Sequence, residues 1–257
     1  MLAPLLGLLL ACWGQNAYIV EGTVVRVDGE RVVLDHEEVA GLMPAMTMPF
    51  DVAEPSLLEG LQAGDRVYAR YEVKEAGGAL TKIRVTGHGT PPAARGPMPL
   101  QPGHVLPGHD LVSHRGATER VGQGQGQSTV LTFVYTRCPL PEACPAVMLK
   151  LRSVEQALDA AGHDARLAAI SLDPAYDTPD VLAAYAAQQE LGARWSLLRM
   201  DEGPLENVAM LAGMTVLEQD GQIVHGLRVL VLDADGRLTA RFDGLDWDVQ
   251  EIVNLLK

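Results

Sequence analysis

The chain has little positive charge, few cysteines and no long hydrophobic run. Its 20 Lys and Arg stand against 33 Asp and Glu, which gives a formal net charge of −13 at pH 7. Binding a nucleic-acid backbone requires clustered Lys and Arg, so this balance argues against such a partner. No stretch reaches the roughly 20 apolar residues that a membrane-spanning helix needs. With 257 residues, 47% of them hydrophobic, the chain can form one large or two ordinary domains.

Residues 1–14, MLAPLLGLLLACWG, are typical of the apolar region of a signal peptide. The run that ends at Cys12 resembles a bacterial lipobox, in which Cys12 is lipidated and becomes the mature N-terminus, although no Lys or Arg precedes it. The alternative is an ordinary signal peptide, with Cys12 removed or free. Both interpretations predict an exported protein. The first adds a lipid anchor on the periplasmic face of the bacterial inner membrane or on the cell-surface membrane.

A Pro- and Gly-rich segment, residues 88–103, lacks apolar periodicity and indicates a semi-rigid linker between two domains. Residues 18–87 contain β-branched runs and a hairpin signal at Asp28-Gly29. They predict five short strands in a small all-β, OB-like barrel. Residues 104–257 alternate buried strands with amphipathic helices and end in a β-meander and a helix. This order predicts an α/β thioredoxin-like domain.

Two cysteines, Cys138 and Cys144, lie in RCPLPEACP, between the first predicted strand and helix of the second domain. A thioredoxin-like fold keeps its redox site there. The five-residue spacing allows a structural disulfide, a redox dithiol or a metal clamp. Cu(I) accepts two or three ligands and favours thiolate and imidazole. His225, in QIVHGLRVLVLD, is therefore a candidate third ligand, and the alternative is a surface histidine beside a turn.

Three segments of the second domain, FVYTRCPLPEACP, SLDPAYDTPDVLAAYA and IVHGLRVLVLDADGRL, resemble in order and spacing the Sco/SenC family of thioredoxin-like copper proteins. The resemblance implies that Cys138, Cys144 and His225 bind copper and that the protein serves assembly of the copper centre of cytochrome c oxidase. The commonest motif of that family has three residues between the cysteines. This chain has five residues between its cysteines, so we expect the same ligands but a different copper affinity and redox potential.

Asp173 and Asp177, in DPAYDTP, belong to the same resemblance. They lie either near the copper site or a docking surface, or in simpler structural positions. In the simpler interpretation, which the sequence favours, Asp173 ends a strand and Asp177 precedes a helix that begins near Thr178. A negative charge is favourable at that end of a helix.

The first domain contains a methionine cluster in HEEVAGLMPAMTMPF. Met46 and Met48 are two residues apart, so they share one face of a strand. Thioethers favour Cu(I), whereas methionine also fills irregular cores. A histidine nearby, His36, favours a metal site.

This stretch resembles the CusF-like periplasmic copper- and silver-binding domain over about residues 18–87. The resemblance implies that His36, Met46 and Met48 are the ligands. Where that family has a tryptophan cap before its Met-x-Met, this chain has Met43, which is a candidate fourth ligand or a cap.

The two resemblances together predict an exported chaperone that binds Cu(I), with Cu(II) as a further state at the cysteine site. The predicted recipient is an apoprotein such as cytochrome c oxidase subunit II, and other periplasmic copper chaperones are further candidate partners. One alternative is a thiol–disulfide reductase that acts on the recipient's cysteines through Cys138 and Cys144. Another is a copper-tolerance protein that sequesters the metal. No Ser-His-Asp arrangement or paired-carboxylate motif indicates a hydrolase.

Overall fold

The structure is a computed structural model that describes residues 17–74, 77–219 and 221–256. The predicted signal peptide and Cys12 lie outside the described residues. Within these ranges, no helix combines the length and the apolar character needed to cross a membrane.

The first domain consists of five strands and one short 3-10 turn at Pro55–Leu58. The strands are β1 (Ala17–Asp28), β2 (Arg31–His36), β3 (Met46–Val52), β4 (Asp65–Lys74) and β5 (Gly77–His88). They form a closed barrel in the order β1-β2-β3-β5-β4, in which β1 pairs with β4 and only β3 and β5 are parallel. At the hairpin between β1 and β2, Gly29 has a φ of 62°, a conformation that favours glycine. The five predicted strands are present.

The second domain is a mixed sheet with helices. Its elements are β6 (His109–Ser113), β7 (Thr118–Val121), β8 (Thr129–Val134), α1 (Cys144–Ala161), β9 (Arg166–Ser171), α2 (Pro179–Gln188), β10 (Trp195–Arg199), α3 (Glu202–Leu211), β11 (Val216–Gln219), β12 (Gln222–His225), β13 (Arg228–Leu232), β14 (Leu238–Asp243) and α4 (Val249–Leu255). The main sheet has the order β14-β13-β8-β9-β10-β6-β7, and β11 and β12 form a separate pair.

The centre of this sheet positions the cysteine segment. Strands β8, β9 and β10 are parallel, and β8 is buried along its whole length. Helix α1 buries Val147, Leu151, Val154 and Leu158, the residues that the helical spacing predicted. The loop between β8 and α1 therefore leaves the carboxyl end of a central strand, where α/β proteins commonly place functional residues.

The segment IVHGLRVLVLD, predicted as one strand of a hairpin, is in fact two strands in different sheets. Its first half, β12, pairs with β11, and its second half, β13, lies between β14 and β8 in the main sheet. Gly226 separates them, and a Cβ there would lie 3.0 Å from the guanidinium of Arg228. The glycine thus lets the arginine fold back over the chain. Strands β6, β7 and β11 were not predicted.

Buried arginines join the two domains. Arg31 of β2 is 2% exposed and donates a hydrogen bond to the carbonyl of Gly213, which follows α3. Arg228 of β13, in the second domain, is 4% exposed. It donates hydrogen bonds to both carboxylate oxygens of Asp51 in the barrel, at 2.8 and 3.0 Å. Burial, followed by the charge of Arg228, lowers the pKa of Arg31 to about 10. Arg31 therefore stays charged at neutral pH, and the carboxylate of Asp243 lies beside both arginines.

Candidate metal centres

The first candidate centre combines Cys138, Cys144 and His225. Cys144 is the first residue of α1 and is buried, Cys138 lies on the preceding loop and is partly exposed, and both are free thiols. The Sγ atom of Cys144 lies 3.6 Å from Nε2 of His225 at the end of β12. His225 is only 5% exposed, so the interpretation of a surface histidine beside a turn is wrong.

The imidazole of His225 is in the form that binds metals. Its Nδ1 lies 3.1 Å from the carbonyl of Gly226, which accepts the Nδ1 proton and leaves the lone pair on Nε2 directed at Cys144. Burial lowers the pKa of His225 to about 4, and the charge of Arg228 acts in the same direction. The ring is therefore neutral at physiological pH.

The interaction between the two thiols shifts their pKa values in opposite directions. The hydrogen bond from Cys144, together with backbone hydrogen bonds, lowers the pKa of Cys138 to about 5. The same interaction with Cys138, together with burial, raises the pKa of Cys144. At neutral pH the metal-free reduced protein therefore holds a thiolate at Cys138 and a thiol at Cys144. The thiolate is the form that attacks electrophiles and binds metals.

Alkylation of the metal-free reduced protein tests this assignment. We expect iodoacetamide to modify Cys138 at a rate that rises as the pH passes about 5, while Cys144 stays slow because it is buried and protonated. The protein is alkylated in buffers from pH 4 to pH 9, and peptide mass spectrometry measures the rate at each cysteine. The reference is the pKa of an unperturbed cysteine thiol, about 8.5. The Cys138→Ser variant is the control for the slow reaction of Cys144. A midpoint for Cys138 near the ordinary value would contradict the assignment.

The second candidate centre lies on strands β2 and β3 of the barrel. His36 is directly opposite Met46, and Met48 opposite Leu34, in the antiparallel register, so His36, Met46 and Met48 share one face. His36 is fully buried. Its Nδ1 donates to the carbonyl of Glu37 at 2.6 Å, and its Nε2 has no hydrogen-bond partner among the residues that the structure describes.

An unpartnered polar atom in a protein interior is costly, so it calls for an explanation. Burial lowers the pKa of His36 and favours the neutral ring. The free lone pair on Nε2, beside two thioethers, fits a soft metal ion such as Cu(I). Met43 forms an isolated bridge with Val39 and is buried close by, lining the same groove as Met46.

Comparison with known proteins identifies both parts of the chain. Residues 98–257 match the family model described as SCO1/SenC, and residues 17–85 match the model described as the copper-binding periplasmic protein CusF. The chain belongs to the SCO1/SenC family. The family resemblance seen in the sequence is therefore confirmed.

Individual SCO1/SenC relatives are distant in sequence. The SCO1 protein homolog of Bacillus subtilis is 23% identical over 127 residues, which span 48% of this chain and 65% of that protein. The chain thus covers just under two thirds of its curated relative. A SCO1/SenC family lipoprotein from Bacillus anthracis has a TM-score of 0.54 at 18% identity, covering 62% of this chain and 99% of the other. Copper-bound ScoI from Arabidopsis thaliana has a TM-score of 0.51 at 21% identity, covering 59% and 94%. The second domain has the thioredoxin-like Sco fold.

In this SCO1/SenC protein Asp177 holds the segment that carries Cys138. Its carboxylate is fully buried and accepts hydrogen bonds from the backbone N–H of Thr136 at 3.1 Å, from the Thr136 hydroxyl and from the Ser171 hydroxyl. Thr178, not Asp177, caps α2, and its hydroxyl accepts from the third residue of the helix. Asp177 does precede α2, but its carboxylate binds Thr136 and Ser171 and not the end of the helix, so its interpretation as a helix-end charge is wrong.

Asp173 acts on the same loop from the other side. Its carboxylate pairs with Nε of Arg137 at 2.5 Å, and the Arg137 guanidinium lies over the ring of Tyr176. Asp173 was predicted to end a strand and lies two residues beyond the end of β9, and its side chain is directed to the residue before Cys138. Of the two alternatives for this motif, proximity to the cysteine site describes the contacts better.

Two tyrosines near the cysteines were not singled out from the sequence. The ring of Tyr135 lies 6.0 Å from that of His225, and its hydroxyl donates to the carbonyl of Ile223. Burial, followed by electrostatic interaction with the two nearby cysteines, raises the pKa of Tyr185 to about 12. The site is therefore enclosed by aromatic side chains that remain neutral. Only the position of Tyr135, directly after a buried strand and three residues before Cys138, could have indicated this.

The cysteine centre is only partly assembled. Among the described residues, no three His, Cys, Asp or Glu side chains form a group that could hold a metal ion as it stands. Cys144 and His225 are in contact, whereas Cys138 is carried by a loop that contains Pro139 and Pro141. The donor types, two cysteine sulfurs and one imidazole nitrogen, fit Cu(I).

The linker positions the barrel centre, a role that the sequence did not indicate. Arg95 donates from Nε to Asp35 at 2.6 Å and from Nη2 to the carbonyl of His36 at 2.8 Å. Its backbone N–H donates to the hydroxyl of Thr47 at 2.7 Å. One linker residue thus binds both strands that carry the candidate ligands, β2 and β3.

Proposed function

We propose that this SCO1/SenC protein is an exported copper chaperone, anchored by lipid at Cys12, that receives Cu(I) on its barrel and delivers it from its thioredoxin-like domain. The barrel ligands are His36, Met46 and Met48, with Met43 beside them. The ligands of the second domain are Cys138, Cys144 and His225. The proposed recipient is the copper centre of cytochrome c oxidase, on subunit II.

One observation carries the proposal: a neutral, buried His225 presents Nε2 to the sulfur of Cys144 at 3.6 Å. A purely redox dithiol needs no imidazole lone pair directed at its buried sulfur. Relatives support the role, because the structural neighbour BsSco is described as a member of the Sco family of cytochrome c oxidase assembly proteins. The CusF match and the lipoprotein relative support export.

Complementation of a strain that lacks this protein tests the proposal. We expect His225→Ala to abolish maturation of the oxidase copper centre, because the third donor is lost while both thiols remain. The measurements are oxidase activity in membranes and the copper content of subunit II, with His104→Ala, an exposed histidine of the same domain, as the control. Normal oxidase assembly in the His225→Ala strain, with the variant present and folded, would refute the chaperone role.

A second function, thiol–disulfide reduction, is favoured by the lowered pKa of Cys138. A reductase uses its thiolate to attack the recipient's disulfide and its second thiol to release the product. It requires Cys138 and Cys144 but not His225. The His225→Ala strain therefore separates the two functions, because a reductase would keep working in it.

A third function, copper sequestration, depends on the barrel alone. The paired variant Met46→Leu, Met48→Leu keeps the apolar volume and removes both thioethers. If sequestration were the whole function, this variant would lose copper tolerance while oxidase activity stayed normal. Under the chaperone proposal, oxidase maturation falls at low external copper.

A further inference from the structure

A groove of about 390 Å³ lies between the barrel and α3 of the second domain. Five of the chain's nine methionines line it, three from the barrel and two from the end of α3 and the loop that follows: Met43, Met46, Met48, Met210 and Met214. We call it the methionine groove. Packing alone does not require so many thioethers, since the buried positions of both domains are mostly Val, Leu and Ala.

Met210 is the methionine of the second domain that packs against the barrel core. It is partly exposed, as is Met46. Met214, by contrast, is 1% exposed and belongs to the core of the second domain. Met210 therefore lies at the domain interface with Met46, whereas Met214 packs inside the second domain.

The interface fixes Met210 in this position. Arg31 of the barrel donates to the carbonyl of Gly213, three residues after Met210. The N–H of Leu100, at the end of the linker, donates to the carbonyl of Leu211 at 2.8 Å. The end of α3 is thus held from the barrel and from the linker. Exposed Glu206 also lines the groove, and its negative charge favours a cation there.

We propose that Met210 supplies a thioether to the copper site of the barrel, so that this site is completed across the domain interface. The inference rests on the proposed binding of Cu(I) by His36, Met46 and Met48. His36 adds an independent observation, because its buried Nε2 has no partner among the described residues. A shared ligand places the captured ion in contact with the domain that delivers it.

Methionine-methyl NMR of the full chain tests this. All cysteines are replaced by serine to remove thiol sites, and Ag(I), which is soft and redox-inert, is added to protein labelled at the methionine methyl groups. We expect the methyl signals of Met46, Met48 and Met210 to shift together and saturate at one equivalent of Ag(I). The signals of Met148 and Met200, in the core of the second domain, should not move.

The variant Met210→Leu keeps the apolar volume and removes the sulfur. We expect it to weaken Ag(I) and Cu(I) binding by the barrel about tenfold, at the low end of the losses seen when the support of metal ligands is removed. The matched control Met200→Leu should leave the affinity unchanged. An unchanged affinity in Met210→Leu, or a silent Met210 methyl beside shifted Met46 and Met48 signals, would overturn the inference and leave the proposed function intact. If the methyl signals of Met46 and Met48 also failed to shift, the barrel site itself would be refuted. The oxidase assay tests copper delivery separately.

Discussion

Replacing His225 with alanine is expected to lower the Cu(I) affinity of the cysteine site by more than about 100-fold, since losing only the partners that support metal ligands costs about 10- to 100-fold. The imidazole is already neutral and lies in contact with Cys144, so His225 itself need lose no proton to bind the ion. Anaerobic competition with a chromophoric Cu(I) chelator measures the affinity. The titration uses the Met46→Leu, Met48→Leu background, so that the barrel does not contribute.

Two controls make this measurement specific. His104→Ala removes an exposed imidazole from the same domain and should not change the affinity. Because His225 is buried, thermal unfolding must show that His225→Ala is folded, and His225→Gln offers a less disruptive variant. A folded alanine variant with unchanged affinity would show that the two cysteines alone hold the copper, as a linear site can.

The sequence predicted the location of the cysteine centre because this information is local. A buried strand, two cysteines and an amphipathic helix follow one another within 33 residues, from Thr129 to Ala161. That order places the cysteines at the carboxyl end of a central strand. The sequence also indicated His225 as a ligand, but it did not predict that His225 is buried. Its surroundings come from β11 and from the barrel, and the sequence pattern around QIVHG reveals neither.

The contact between the two domains could not be predicted in this way. Arg31 and Gly213 are 182 positions apart, and nothing near Arg31 in the sequence distinguishes it from a surface arginine at a turn. The same applies to Met210, which has the spacing of an ordinary helix-core residue. Its role depends on which surface covers the end of α3. Such long-range pairs are set by tertiary packing and not by periodicity.

The interface brings both candidate centres into one region. The barrel residue Phe50 stacks edge-on with His36, with ring centroids 5.4 Å apart. Phe50 also lines a narrow pocket together with His225 of the second domain. The paired strands β11 and β12, which lie outside the main sheet, contribute Leu217, Val224 and His225 to the lining of this pocket. Phe50 thus belongs to the surroundings of one candidate ligand from each centre.

Replacing Asp177 with alanine is expected to destabilise the protein by about 3 kcal/mol and to release the segment before Cys138. The side chain is fully buried and accepts three hydrogen bonds, two of them from Thr136. Each buried donor left without a partner costs about 1–3 kcal/mol, although relaxation keeps the total below the sum. Urea unfolding measures the loss, and Asp177→Asn, which retains one acceptor oxygen, should lose less.

The matched control is Asp180→Ala, which removes an exposed carboxylate from the first turn of α2. Losing a favourable charge at a helix N-terminus costs only about 0.3–1 kcal/mol. If Asp177 served only as a helix-end charge, both variants would lose this small amount and the cysteines would be unaffected. If it holds the loop, Asp177→Ala alone will move the alkylation midpoint of Cys138 up toward that of an ordinary thiol, because the hydrogen bond from Cys144 depends on the position of the loop.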